Sequence, residues 1–144
     1  MKRRSSAVWK GSGLEGSGTL SMQSGVFDNH PYSAKMRFQN EDGKLGTNPE
    51  ELIAAAHAGC FNMALAFQLG GAGFTPEELN TKAVLTIEKV DDGFSITSIV
   101  LTLTAKVPGI GEEQFMKLAE GAKAGCPVSK VLNTEITLNA SLEA

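Results

Sequence analysis

Residues 46–71, GTNPEELIAAAHAGCFNMALAFQLGG, decide the fold. Asn48 followed by Pro49 and Glu51 spells a helix start: a side-chain acceptor at the N-cap, proline in the first turn, glutamate at the capping-box position. Gly70-Gly71 supplies a stop, because glycine accepts the left-handed conformation that ends helices. Between them Leu52, Ile53, Ala56, Cys60, Phe61, Met63, Ala64 and Phe67, with their alanine neighbours, leave almost no polar face. A helix apolar on every side is a buried one, so this helix is expected at the centre of the molecule. Glu50, Glu51, His57, Asn62 and Gln68 interrupt the apolar run, which argues against a bilayer span. The run AAAHAG lets another backbone come close, and Cys60 sits mid-helix.

Upstream, residues 5–10 and 18–24 form short strands around the turn-rich GSGLEGS. Tyr32, Ala34, Met36 and Phe38 alternate with polar residues, which predicts a half-buried strand with Arg37 on its polar face. Downstream, Thr75-Pro76-Glu77-Glu78 offers a capped helical turn. Residues 81–90 and 94–107 flank Asp91-Asp92-Gly93, a strong hairpin signal. In the second of these strands Phe94 and Ile96 share one phase, and Ile99, Leu101, Leu103 and Ala105 the other, so a bulge near Ser98 is expected. Phe115, Leu118, Ala119 and Ala122 stand at helical spacing. Pro127 suits the first turn of a new short helix, which puts Cys126 at that helix's N-terminus. Ile136, Leu138, Ala140 and Leu142 alternate along a last strand. The order β-β-β-α-β-β-α-α-β predicts an α+β domain with antiparallel sheet packed on helices.

The chain's 144 residues suit a single domain, and 42% hydrophobic with 20% charged residues is an ordinary globular composition. A net charge of −3, with Lys2-Arg3-Arg4 as the main basic run, gives no nucleic-acid footprint. That basic start is followed by SSAVWKGSG where a signal peptide needs an apolar stretch, so a cytoplasmic protein is expected. Two cysteines then leave three readings open: inert core thiols, metal ligands or a redox pair.

Cysteine is the strongest nucleophile here once it is a thiolate, and a free thiol with pKa of about 8.5 is only slightly ionised at neutral pH. Arg37 is a candidate to stabilise such a thiolate, and Glu50 a candidate to hold that arginine by a bidentate pair. Glu50 precedes Cys60 by almost three turns, roughly 15 Å along one helix, so an arginine joining them must bridge a gap or come from another chain. Cys126 has local support from its helix N-terminus. His57, one turn before Cys60, adds a weak metal-site signal, with a packed core histidine as the commoner reading. Ala56, Met63, Ala64, Phe61 and Phe67 near Cys60, with Phe115, Leu118 and Ala122, are candidate walls of an apolar pocket.

GTNPEELIAAAHAGCFNMAL (46–65), KAGCPVSKVL (123–132) and the final ITLNASL together resemble the osmotically inducible protein C (OsmC) family, which includes the organic hydroperoxide resistance (Ohr) proteins. The resemblance runs along essentially the whole chain. It implies a peroxidatic cysteine at Cys60, a resolving cysteine at Cys126, the family's acidic residue at Glu50 and the arginine of the OsmC branch at Arg37. The Ohr branch carries its arginine nearer the N-terminus, where this chain has GSGLEGSGTL and none. The implied fold is an intertwined homodimer whose sheets wrap two central helices. The implied activity is a thiol-dependent peroxidase acting on organic hydroperoxides in oxidative and osmotic stress defence. It uses an external dithiol such as a lipoyl group, and no metal, flavin or haem cofactor. A redox-sensing or small-molecule-binding module using the same disulfide as a switch is the rival from another class.

Overall fold

In the computed structural model, which describes residues 1–143, three short strands begin the chain: β1 (Ser5–Lys10), β2 (Ser17–Met22) and β3 (His30–Ser33). They form an antiparallel meander in the order β1-β2-β3. Trp9 and Tyr32 pack across it with ring centroids 5.3 Å apart. The strand expected through Phe38 stops at Ser33, and Ala34–Phe38 is a helix, α1. Ser33 is the physical reason: its hydroxyl accepts from Met36 N–H at 3.1 Å, an N-cap that outweighs the alternating pattern. Arg37 therefore stands on a helix, not on a strand face.

Helix α2 (Pro49–Gly71) starts as expected. The Asn48 side chain accepts from Glu51 N–H at 2.8 Å, while Glu51 reaches past the cap to accept from the Thr47 hydroxyl at 2.8 Å. It ends at Gly71, as expected. Gly73, at φ +87°, closes it, with Phe74 N–H donating to Leu69 C=O at 2.9 Å and Gly73 N–H to Gly70 C=O at 3.0 Å. This double bond over a left-handed residue is a Schellman ending. The chain divides into two compact units, Met1–Leu52 and the part from Ile53 onward, the division falling in the first turn of α2.

The second unit holds the core. Strands β4 (Glu78–Val90) and β5 (Gly93–Lys106) form the expected hairpin, turning at Asp91-Asp92 with Asp91 at φ +53°. The register shifts between Thr86, opposite Ser98, and Ile87, opposite Ile96, which leaves Thr97 as the bulge. Ile99, Leu101, Leu103 and Ala105 thereby all face inward. The capped turn expected at residues 75–78 is absent, because Glu77 N–H is drawn to Lys106 C=O and β4 begins at Glu78. Helices α3 (Glu112–Gly125) and α4 (Pro127–Val131) lead into β6 (Glu135–Glu143). β6 pairs parallel to β5, so the order is β4-β5-β6 and this sheet is mixed, not antiparallel throughout. A helical crossover is the connection a parallel pair requires.

Phe61, Leu65 and Leu69 of α2 pack with the inner face of β5 and with Phe115, Ala119 and Ala122 of α3. Asn62 is satisfied by β4: it donates to Leu79 C=O at 3.2 Å and accepts from the Thr81 hydroxyl at 2.6 Å. α2 is not buried on all sides. Its buried stripe is His57, Phe61, Leu65 and Leu69, while Met63 is 64% and Phe67 78% exposed. By length and composition α2 is long and apolar enough to cross a bilayer, but its buried stripe packs into the core of the second unit. The α+β class and central helix stand.

Gly73→Ala should destabilise the protein by about 1 kcal/mol in urea unfolding, because a Cβ penalises the left-handed ending.

Candidate active site: a thiol pair and a guanidinium–carboxylate pair

Cys60 is on α2, one residue before buried Phe61 and three after buried His57, so it flanks the packed stripe and is itself half-buried. Cys126 ends α3 and caps α4, with Pro127 in the first position of α4, and is fully buried. The two free sulfurs lie 2.7 Å apart, the Cys126 S–H donating to Cys60 Sγ in the neutral pair. Distant cysteines thus meet, which the sequence spacing left open.

The pair titrates as a unit. Burial pushes the Cys60 thiol up, the proton shared with Cys126 adds to this, and the Val128 N–H opposes it. Burial also raises Cys126. Hydrogen bonds with Cys60, with the Ser129 N–H and hydroxyl and with the Val128 N–H outweigh that and bring Cys126 down. The donors around Cys126 favour charge there, while burial opposes charge on Cys60.

Arg37 and Glu50 form the second cluster, within the first unit. Arg37 Nε donates to both Glu50 carboxylate oxygens at 3.1 Å and Nη2 donates to Oε1, a bidentate pair in which the Glu50 side chain is only 12% exposed. The guanidinium also lies 4.9 Å over the Phe38 ring. A cavity of ≈ 240 Å³ opens beside it, lined by Arg37, Phe38, Trp9, Tyr32 and Pro49 among others. The pocket expected around Cys60 is not built as the sequence suggested, since Phe61, Phe115 and Ala122 are core residues with no exposed surface.

Ser129 is the residue that sequence reasoning passed over. Its hydroxyl lies 2.7 Å from His57 Nε2. The available signal was its place three residues after a capping cysteine, where a helix brings side chain and cap together. His57 spends Nε2 on that hydroxyl. Among the described residues no group of three His, Cys, Asp or Glu side chains is placed to hold a metal.

The family model for OsmC-like proteins matches residues 41–141. The chain is 49% identical over 142 residues to peroxiredoxin OsmC of Escherichia coli, covering 99% of this chain and 97% of that one. It belongs to the OsmC-like family. The fold is similar to the structure of an OsmC-like protein of unknown function from Vibrio cholerae (TM-score 0.78, 19% identity, 98% and 99% of the two chains). It is also similar to the organic hydroperoxide resistance protein OhrB of Bacillus subtilis (TM-score 0.68, 25% identity, 96% and 98%). This OsmC-like chain is a peroxiredoxin-like peroxidase.

Burial lowers the His57 pKa from its ordinary 6.5, so the folded state holds the ring neutral. Its contribution to stability is present above pH 6.5, the unfolded value, and is lost as pH falls towards the depressed folded value. Urea unfolding of the wild type should therefore weaken below pH 6.5. In His57→Gln the same acid limb should be shallower, whatever its stability at pH 8.

Proposed function

We propose that the protein reduces organic hydroperoxides to alcohols, and hydrogen peroxide less efficiently, in the cytoplasm. The observation that carries this reading is the contact of a half-buried sulfur with a fully buried one at 2.7 Å. A thiol that must meet a peroxide needs access. One that must intercept a sulfenic acid needs proximity and protection.

In this mechanism the Cys60 thiolate attacks the distal peroxide oxygen, the O–O bond breaks, and the alkoxide leaves and takes a proton. Cys60 becomes a sulfenic acid. Cys126 condenses with it to a disulfide and releases water before over-oxidation. An external dithiol, such as a lipoyl group, restores both thiols by exchange.

Arg37, held in one orientation by Glu50, is the cation that draws charge onto Cys60 and stabilises the peroxide oxygens in the transition state. The aromatic-walled cavity beside Arg37 favours a peroxide with a hydrocarbon tail, at about 0.8 kcal/mol per buried CH₂. The working form is a homodimer. Ala55, Gly59, Met63 and Phe67 make an exposed small-and-apolar stripe on α2, and covering Met63 and Phe67 would stabilise association by roughly 1.5–3 kcal/mol each.

Steady-state assays with cumene, tert-butyl and hydrogen peroxide test the reading, each run with dihydrolipoamide and with glutathione. The organic peroxides should give the higher kcat/KM, dihydrolipoamide should sustain turnover and glutathione should not. Cys60→Ser should abolish activity, and Cys126→Ser should stall after one oxidation. Equal kcat/KM on all three peroxides would remove the apolar pocket from the mechanism. Separately, Arg37→Met should keep the fold and shift the pH profile of Cys60 alkylation upward; an unchanged profile would assign activation to another group.

A further inference from the structure

His57 has no exposed surface, and nothing in the mechanism above uses it. Its Nε2 is 2.7 Å from Ser129 Oγ, while its Nδ1 is buried without a hydrogen-bond partner among the described residues. Ser129 lies three residues after Cys126, which caps α4, and donation from its hydroxyl and its backbone N–H helps to bring the Cys126 pKa down. The first turn of α4 therefore joins two close polar contacts, His57–Ser129 and Cys126–Cys60.

The direction of the line follows from proton counting. A serine hydroxyl has one proton to give. If Ser129 gave it to His57, none would remain for sulfur, and Nδ1–H would be a stranded buried donor. If His57 Nε2–H donates to Ser129 instead, the hydroxyl proton is free for Cys126, and Nδ1 is left as a bare lone pair. Orphaned buried N–H groups are the rarer and costlier case, which favours the second arrangement. Burial holds the ring neutral, with a single N–H to place.

We propose that His57 is a positioning residue for the resolving step: it donates to Ser129 Oγ and so turns the Ser129 proton onto Cys126 Sγ, holding that sulfur as the attacking thiolate. The proposal rests on Cys126 being the resolving thiol. In that step the Cys126 thiolate attacks the sulfur of Cys60 sulfenic acid. The S–S bond forms, the S–O bond breaks and hydroxide leaves. The proton given up by Cys126 completes the hydroxide to water, so no further oxidant, reductant or acid is required. Cys60 sulfur is reduced from sulfenic to disulfide level, and Cys126 sulfur is oxidised to it. A sulfur with no exposed surface cannot draw on bulk water to stabilise its charge, which is why a fixed donor matters here.

The test is a single-turnover experiment on the full chain. One equivalent of cumene hydroperoxide is added to reduced protein. Samples are quenched with an alkylating agent and resolved by mass spectrometry into thiol, sulfenic acid, disulfide and sulfinic acid. In Ser129→Ala the conversion of sulfenic acid to disulfide should slow about tenfold, the worth of one hydrogen bond to a charged group. Sulfinic acid should then build up under excess peroxide. Ser129→Thr, which keeps the hydroxyl, should recover to within about twofold of wild type. Nitrogen-15 NMR of the wild type should place the His57 ring proton on Nε2.

A disulfide rate in Ser129→Ala equal to wild type, failure of Ser129→Thr to recover, or a ring proton on Nδ1 would each overturn the positioning role. Those results leave Cys126 as resolving thiol untouched. A wild-type protein that forms the sulfenic acid but never the Cys60–Cys126 disulfide would instead sink the parent reading, and this inference with it. Because Ser129 is only half-buried, its alanine variant keeps the fold testable even if substitutions at His57 do not.

Discussion

The four-residue repeat His57, Phe61, Leu65, Leu69 is the constraint on which the second unit depends. It fixes the rotation of α2 against β5 and α3. Once Phe61 is in the core, Cys60 must lie at the margin of the buried stripe, where a sulfur is neither inert nor freely solvated. The same rotation turns His57 inward. A buried imidazole without a partner would be costly, and the Ser129 hydroxyl answers that need for one of its two nitrogens. Packing and chemistry are thus set by one angular choice.

The opposite stripe, with Gly59, Met63 and Phe67, follows from the same choice. A helix that is apolar on both sides has more surface than one sheet can cover. In a single chain the excess faces outward, where the proposed dimer would cover it. Phe67, 78% exposed, contrasts with Phe61 and Phe115, which are fully buried at the centre of the core.

Electrostatics divides the proposed work between the two clusters. Around the thiols, donors gather at Cys126 and burial acts against charge on Cys60. The Arg37–Glu50 pair carries the fixed cation, and its bidentate geometry gives the guanidinium a single orientation. In the proposed mechanism the resolving thiol has its own donors and the peroxidatic thiol a separate cation, so different groups stabilise each anion. Such a division suits a reaction in which the two sulfurs ionise at different steps.

The sequence by itself determined much of the element order, the start of α2 at Asn48, the hairpin at Asp91-Asp92 with its bulge, and the break at Cys126-Pro127. These are local matters of capping, turn chemistry and periodicity, decided within a few residues. It also supplied the family resemblance through its two cysteine motifs. It misjudged residues 32–38 because alternation and an N-cap competed there, and the serine hydroxyl of Ser33 won. It ended α2 correctly at Gly70-Gly71 but did not single out Gly73 as the left-handed residue that closes it. It could not see that β6 returns parallel to β5, that only one face of α2 is covered, or that Ser129 meets His57. Each of these depends on residues far apart in the chain, and their contacts exist only once the core has chosen which side chains to bury.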